Sequence, residues 1–117
     1  GGVHTVNGGD TVTYFTGVQQ ISSEIPKEFE LEQNFPNPFN PVTNIRYRIK
    51  NYSDVKLEVF DITGKHISTL IDHKQSAGVY QFTFEANNLS SGVYFYKLTV
   101  TTAKEVYTET KKLILIK

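Results

Sequence analysis

The chain has 117 residues, which is the size of a single domain. Twelve Lys and Arg balance twelve Asp and Glu, and because proteins bind nucleic acids largely by neutralising phosphates, no nucleic-acid partner is expected. The longest apolar runs, such as Leu113–Ile116, have only four residues. A membrane-spanning helix needs roughly 20, so no membrane-spanning segment is predicted. The absence of cysteine excludes disulfides, thiolate metal sites and thiol catalysis.

The sequence also lacks methionine. We therefore expect it to be a piece of a longer protein or a processed chain. No apolar stretch follows a basic N-terminus, so a secretory signal is not expected within this part.

The first quarter of the sequence predicts a β-hairpin. His4–Val6 and Thr11–Phe15 are rich in Val and Thr, and they flank Asn7-Gly8-Gly9-Asp10. Asn and Gly tolerate the positive φ angles of tight hairpin turns. Val18–Glu24 is polar and shows no strand pattern. We interpret residues 1–28 as a linker or the tail of an upstream domain that contains this hairpin.

All four prolines lie within Pro26–Pro41. Proline fixes its own φ, lacks a backbone donor and favours an extended conformation for the residue before it. This segment is therefore predicted to be irregular and extended. It places a domain boundary near Pro26–Phe29, so the main domain is predicted to span residues 29–117.

Downstream of the prolines, apolar residues recur at every second position, which is typical of strands with one buried face. The pattern occurs in Asn44–Ile49, Val55–Phe60 and Tyr80–Glu85, whereas Val93–Val100 is apolar on both faces and is expected to be covered on both. Turn residues separate these segments, and no helical spacing is sustained. The fold predicted is an all-β, immunoglobulin-like antiparallel sandwich of about seven strands with no substantial helix.

Side chains that could support catalysis or metal binding are scattered along the sequence. The histidines are far apart, and the aspartates lie beside predicted turns, where carboxylates commonly cap the backbone. No serine lies in a G-x-S-x-G motif, and no glycine-rich phosphate loop precedes a helix. We therefore predict no catalytic residue, no metal site, no cofactor and no enzymatic activity. The side chains considered are His4, His66, His73, Asp54, Asp61 and Asp72.

Aromatic residues make up 13% of the sequence, and most occupy positions that should face the core. Tyr14, Phe15, Tyr52 and Tyr107 are the exceptions, and they are candidates for stacking on sugar rings. A carbohydrate-binding or adhesive module of a secreted surface enzyme is therefore an alternative function. A structural stalk that stabilises its upstream partner is another.

The last seven residues, Lys111–Lys117, hold four consecutive aliphatic side chains between lysines. Burying one such side chain stabilises a fold by about 1.5–3 kcal/mol, so four would contribute roughly 6–12 kcal/mol. That range is comparable with the net stability of a whole domain, roughly 5–15 kcal/mol. We therefore predict that this segment is the last strand of the sandwich, paired and covered.

Four further patterns stand out as motifs, namely Glu30–Pro41 (ELEQNFPNPFNP), Val59–Lys65 (VFDITGK), Leu89–Tyr96 (LSSGVYFY) and Lys111–Lys117 (KKLILIK). They occur in the order found in type IX secretion C-terminal sorting domains. The sequence resembles the type A subclass of this family over residues 29–117, and that subclass is similar to the immunoglobulin-like domain of flagellar hook-capping proteins.

This resemblance implies that the domain is a sorting signal without catalytic activity. In the family, cargo crosses the inner membrane by a signal peptide, and an outer-membrane translocon then recognises the folded domain. A sortase-like cysteine peptidase removes the domain, and the cargo reaches the cell surface or the medium of a Gram-negative bacterium. The expected partners are the translocon, the peptidase and the upstream cargo domain, with cleavage in the linker around Val18–Pro26.

The resemblance also assigns recognition to particular residues. Physically, glycines permit the turns that set strand register, and a final strand at a sheet edge could be recognised by β-augmentation. A purely structural role for the glycines, and a solubilising role for the lysines, remain alternatives. The residues assigned are Pro36, Asn37 and Pro38, which open the domain, and Gly64, Gly92, Val93, Tyr94, Lys111, Lys112, Leu113, Ile114, Leu115, Ile116 and Lys117.

Overall fold

The computed structural model describes residues 18–117 in full and the backbone of residues 2–6 and 10–14. Strands β1 (Gly2–Val6) and β2 (Asp10–Tyr14) pair antiparallel, with Gly2 opposite Tyr14 and Val6 opposite Asp10. They correspond to the arms of the hairpin predicted from the sequence. The predicted turn residues 7–9 and Phe15 lie outside the described residues.

Eight further strands form two four-stranded antiparallel sheets with a common core. Sheet A has the order β10-β9-β6-β7, and sheet B has the order β3-β8-β5-β4. The described residues contain no helix, so the predicted all-β sandwich is confirmed, with eight strands where about seven were expected. The strands are β3 (Val18–Ser22), β4 (Glu30–Leu31), β5 (Val42–Ile49), β6 (Ser53–Asp61), β7 (His66–Gln75), β8 (Gly78–Glu85), β9 (Gly92–Thr101) and β10 (Val106–Leu115).

The core follows from the two-residue period of the strands, because alternate side chains point to opposite faces. Sheet A contributes Leu57 of β6 and Leu98 of β9, and sheet B contributes Ile45 and Tyr47 of β5, all fully buried. The outward side chains of β9 are half-buried. The prediction that Val93–Val100 is covered on both faces was therefore wrong. Among the described residues, no second layer lies over this face, and its side chains are partly buried only by side chains of the neighbouring strands.

Strand β3 lies where the sequence predicts a linker. It pairs with β8 from Val18 opposite Phe82 to Ser22 opposite Val79, with an irregularity between Gln20 and Ser22. Only Val18 packs against the core, because an edge strand leaves most of its side chains exposed. The prediction that this polar segment contains no strand was therefore wrong. The boundary predicted near Pro26–Phe29 falls between two strands of the same sheet.

Candidate functional site

The four motifs meet at one end of the sandwich, which we call the motif end, although the first of them begins at Glu30, opposite Arg48 near the far end of β5. In sheet A, Asp61 at the end of β6 is opposite Tyr94 near the start of β9, and Tyr94 is also opposite Leu113 near the end of β10. A bridge between Phe39 and Leu115 joins the proline motif to the same row. Segments far apart in sequence therefore form one contiguous region.

The last strand is an integral member of sheet A. β10 pairs with β9 over ten residues, from Val106 opposite Thr101 to Leu115 opposite Gly92. Leu113 and Leu115 are 0% and 1% exposed, which confirms the predicted terminal strand.

The prediction that all four aliphatic side chains are covered was wrong, however. Ile114 is half-buried, and Ile116 is 52% exposed, because alternate residues of a strand face opposite sides. The two buried leucines contribute about 3–6 kcal/mol, half of the expected amount.

The proline segment, residues 32–41, lies along the free edge of β10. The Ile114 amide donates to Asn37 Oδ1 at 2.9 Å, and the Phe39 amide donates to the Ile114 carbonyl at 2.9 Å. The Ile116 amide donates to the Phe39 carbonyl at 2.9 Å, and Gln33 Nε2 donates to the Lys112 carbonyl at 2.7 Å. The end of β10 therefore has neighbours on both sides.

These contacts change the expectation of β-augmentation. An added strand needs unpaired N–H and C=O groups along a sheet edge. From Lys112 to Ile116, the proline segment already bonds to the backbone groups on that edge. The folded domain therefore does not present this stretch to an incoming strand, and a partner that recognises it must contact side chains.

A buried polar network holds the proline segment. The Asn34 amide donates to the Tyr96 hydroxyl at 2.7 Å, and that hydroxyl donates to the Glu32 carbonyl at 2.8 Å. Asn34 Nδ2 donates to Thr43 Oγ1 at 3.0 Å and to the Pro36 carbonyl at 3.2 Å. Burial raises the pKa of the Tyr96 hydroxyl, so it stays protonated and can donate. The network therefore holds the proline segment in place from its buried side.

The side chains next to this network divide between core and surface. Phe39 is buried and lies 6.2 Å from the Phe84 ring, centroid to centroid. Pro36, Asn37 and Pro38 are exposed. Exposed motif residues are thus supported by buried ones that the sequence analysis did not assign to the site, namely Asn34, Phe39, Thr43 and Tyr96. The position of Asn34 and Phe39 inside the proline motif was the available signal.

Gly64 lies in the tight turn between β6 and β7. Its φ of 89° is in the left-handed region, where glycine is favoured because it has no Cβ. Asp61 Oδ1 accepts hydrogen bonds from the Thr63 hydroxyl at 2.6 Å, the Thr63 amide at 2.8 Å and the Lys65 amide at 3.0 Å. The Thr63 hydroxyl is the main cause of the lowered pKa of the Asp61 carboxyl. This turn is at the motif end and apart from β10.

Gly92, Val93 and Tyr94 lie directly opposite Leu115, Ile114 and Leu113. The Tyr94 hydroxyl donates to the Ser90 carbonyl at 2.7 Å. The structure thus brings the third and fourth motifs together as neighbouring strands.

The last residue is tied to the loop before β9. The Lys117 amide donates to Ser91 Oγ at 2.9 Å, and Lys117 Nζ donates to the Asn87 carbonyl at 2.7 Å. These contacts continue the link between the last two motifs beyond the end of β10.

The lysines of the final motif differ in orientation. Lys111 points to the inner side of β10 and forms an ion pair with Glu109, with a distance of 3.2 Å between Lys111 Nζ and Glu109 Oε2. Lys112 points outward and is exposed. Burial raises the pKa of the Glu109 carboxyl, but hydrogen bonds from Tyr107 and Leu31 and the charge of Lys111 together leave it below its ordinary value.

The aromatic candidates for sugar binding do not form a row in the described part of the chain. Tyr107 is half-buried, its ring centroid is 5.6 Å from that of Phe29, and its hydroxyl donates to Glu109. Tyr52 is exposed at the opposite end of the sandwich. The side chains of Tyr14 and Phe15 lie outside the described residues. Tyr107 is thus a packing residue.

Within residues 18–117, no three His, Asp or Glu side chains lie close enough together to hold a metal ion. In this part of the chain, His66 Nε2 lies 3.5 Å from Glu58 Oε2 and 3.0 Å from Thr69 Oγ1. In the described part of the chain, no helix has the length and apolar character needed to cross a bilayer.

Two solved structures are similar to this chain. Dimeric latent PorU from Porphyromonas gingivalis matches with a TM-score of 0.62 and 20% identity, over 80% of this chain and 10% of that chain. CopC from Methylosinus trichosporium OB3b matches with a TM-score of 0.50 and 14% identity, over 75% of this chain and 93% of that chain. At these identities the likeness supports the fold alone. This chain thus spans only a small part of the length of PorU.

A search of curated proteins found no match. The model of the family described as "Secretion system C-terminal sorting domain" matches residues 33–117, which is most of the sequence and includes all the assigned recognition residues. The match begins within the proline segment, at residue 33, and continues through the terminal strand to residue 117. The chain therefore belongs to the family of secretion-system C-terminal sorting domains, as its resemblance to the type IX family predicted.

Proposed function

We propose that this chain directs an attached cargo across the outer membrane through the type IX secretion system. The observation that carries the proposal is that the proline motif, the Leu89–Tyr96 motif and the terminal strand form one hydrogen-bonded unit at the motif end. An address read by a protein should have a fixed shape, and the buried network beneath Asn34 supplies rigidity.

The proposal assigns three partners. An outer-membrane translocon recognises the motif end, a sortase-like peptidase separates the domain from its cargo, and the cargo domain precedes residue 18. The destination is the cell surface or the medium of a Gram-negative bacterium. The domain itself acts as an address without catalysis. The family match supports a sorting role, and the finer steps are our inference.

Cleavage is proposed for the part of the linker that lies outside β3. Peptidases bind an extended chain with free backbone groups, and residues 18–22 are paired with β8. Ser23–Pro26 has no strand structure and is mostly exposed. Mass spectrometry of the processed domain should find its new N-terminus within Ser23–Pro26, and a terminus inside β3 would contradict this assignment.

The function is tested by fusing residues 17–117 to a reporter in a host that has a type IX system. We expect the reporter outside the cell, and a reporter retained in the periplasm would refute the proposal. Deleting Leu113–Lys117 should abolish export. Melting curves of the purified deletion variant distinguish loss of recognition from unfolding.

A single substitution distinguishes loss of recognition from unfolding more sharply than the deletion does. Asn37→Ala removes the bond to the Ile114 amide while leaving the buried leucines in place. If a fixed motif end is what the translocon reads, this variant should export poorly at a temperature at which it is still folded. Export equal to that of the unchanged domain would show that the translocon does not recognise the hydrogen-bonded contact between the proline segment and β10.

A further inference from the structure

The outer face of sheet A is divided into an apolar half and a polar half. Near the motif end, the outward side chains are Phe60 of β6, Val93 and Phe95 of β9, and Ile114 of β10. Toward the other end they are mostly polar or charged, such as Lys56, Thr99 and Thr108, although Val106 at the start of β10 is apolar and exposed. The apolar half is formed by residues of three neighbouring strands, which the pairing of the strands brings together.

The four apolar residues are neighbours across the strands. Val93 is opposite Ile114, and Phe95 is opposite Phe60. Cβ atoms of directly opposed residues in antiparallel strands lie about 4.5–5.5 Å apart, so these side chains form a contiguous surface. We call Phe60, Val93, Phe95 and Ile114 the apolar patch. Each is half-buried.

Two more exposed apolar side chains continue the apolar patch at the motif end. Ile116 follows β10 and is 52% exposed, and Ile62 follows β6 and is 68% exposed. The outward residues of sheet B are different in character, since β5 presents Asn44, Arg46 and Arg48 there, and β8 presents Gln81, Thr83 and Glu85. Single apolar side chains are also exposed elsewhere, at Val42 of β5 (38%) and Val106 of β10 (65%), but the apolar residues that are paired across strands lie on sheet A beside the motifs.

The charge beside the apolar patch that is most accessible to a partner is the ammonium group of Lys112, whereas Lys97 is directly opposite Glu58. Lys112 is opposite Phe95, is exposed and forms no ion pair within residues 18–117. Lys97 Nζ lies 5.6 Å from the centroid of the Phe60 ring. The nearby carboxylates are less available, because Glu58 is largely buried beside His66, and Asp61 accepts hydrogen bonds from its own turn.

We infer that the apolar patch, with Lys97 and Lys112, is a docking surface for a protein partner that presents apolar side chains rimmed by carboxylates. This inference rests on the proposed function, in which a component of the secretion machinery reads the folded domain. Because the proline segment occupies the free edge of β10, a component that reads the end of this strand must contact side chains. The apolar patch offers these side chains next to the motifs, and its lysines select an acidic partner.

The test uses the exported reporter fusion and substitutions on the same face of sheet A. Lys112→Glu reverses a charge at the apolar patch, and Lys56→Glu makes the same reversal on the polar half. We expect Lys112→Glu to lower the exported fraction about tenfold and Lys56→Glu to leave it within about twofold. Phe95→Ser should act like Lys112→Glu, with Thr99→Ser as its matched control.

Each outcome bears on the inference. Equal export by Lys112→Glu and Lys56→Glu, with the unchanged domain exported normally, overturns the docking surface and leaves the proposed function intact. Failure of the unchanged domain to be exported overturns both. Melting temperatures of all four purified variants are measured, and Lys112→Glu should melt like the unchanged chain because its side chain is exposed.

Two alternative binding partners for the apolar patch, a membrane surface and a second copy of the chain, are tested with the purified chain. Sedimentation with phosphatidylglycerol vesicles tests a membrane surface, and sedimentation velocity tests a second copy of the chain. We expect no pelleting with vesicles and a monomer in solution. Vesicle binding that is lost in Lys112→Glu would replace the protein partner by an anionic membrane, and a dimer that is lost in Phe95→Ser would replace it by self-association.

Discussion

Asn37 Oδ1 accepts the backbone amide of Ile114 at 2.9 Å, although 77 positions separate the two residues. The bond occupies a donor on the free edge of the last strand. With the Gln33 bond to the Lys112 carbonyl on one side of it and the Phe39 bonds on the other, the proline segment takes the place of a fifth strand of sheet A at this point. A side chain and a short stretch of irregular backbone thus protect an edge that would otherwise be open to other chains.

The Asn37→Ala substitution should destabilise the domain by about 1 kcal/mol, because it leaves the Ile114 amide without its partner. Urea denaturation measures the change. Asn40→Ala is the matched control, since Asn40 lies on the same segment and its side chain makes no hydrogen bond within residues 18–117. Hydrogen exchange at Ile114 should accelerate in the first variant only. Equal exchange in both would show that the Asn37 side chain does not hold the edge.

The cost in stability of an alanine substitution in or just after the terminal strand should depend on which face of the strand the side chain occupies. Leu113→Ala should cost about 2–5 kcal/mol, because it opens a cavity in the core. Ile116→Ala should change the free energy of unfolding by less than about 0.5 kcal/mol, since Ile116 is exposed. Thermal or urea unfolding of both variants provides the measurement. A large cost at Ile116 would contradict the observed alternation.

The turn at Asp61 should make a contribution to the free energy of unfolding that depends on pH. The hydrogen bond from Thr63 lowers the pKa of the Asp61 carboxyl in the folded state, so folding favours the charged form. This contribution is complete above the unfolded-state pKa of about 3.9 and is lost as the pH falls through the lower folded-state pKa.

Urea midpoints of the unchanged chain and of Asp61→Asn should therefore differ most near pH 7 and converge as the pH falls from about 5 toward 2. Glu109, whose pKa is also lowered, titrates in both proteins and cancels in the comparison. A gap between the two midpoints that stays constant with pH would contradict the role of the charged carboxylate.

Gly78→Ala should loosen β3. A Cβ at this position would lie 2.9 Å from the carbonyl oxygen of Ser22, which belongs to the backbone of β3 and has to move. Limited proteolysis should then cut within Val18–Ser22 faster, while the rest of the sandwich resists. Gly64→Ala is the control, since a Cβ there meets nothing within 4 Å and the change only strains a left-handed φ. Faster cleavage of β3 in the control as well would point to general destabilisation.

The sequence was informative where one strand face enters the core. Alternation in Asn44–Ile49 and Val55–Phe60 predicted β5 and β6, because inward residues are apolar and the outward ones, apart from Phe60, are polar. β7 lacked this signal, since irregularities opposite Glu58 and Phe60 break its two-residue period. β3 was missed because an edge strand with one packed side chain looks like a linker.

The site was predicted less completely than the fold. The motif residues were identified by resemblance, but the bonds between them join positions that local patterns cannot relate. Asn34 and Tyr96 are 62 positions apart, and their contact is decided by how the chain passes from sheet B to the edge of sheet A. The patch on sheet A was likewise invisible until the register placed Phe60 beside Phe95.

The clamp between the proline segment and the last strand has a consequence for how fast the molecule folds. The clamp can close only after most of the chain has been gathered between its two halves, and such long-range closure is slow for all-β proteins, in the range of milliseconds to seconds. We expect newly made chains to remain open during that interval, accessible to chaperones, before the sandwich closes.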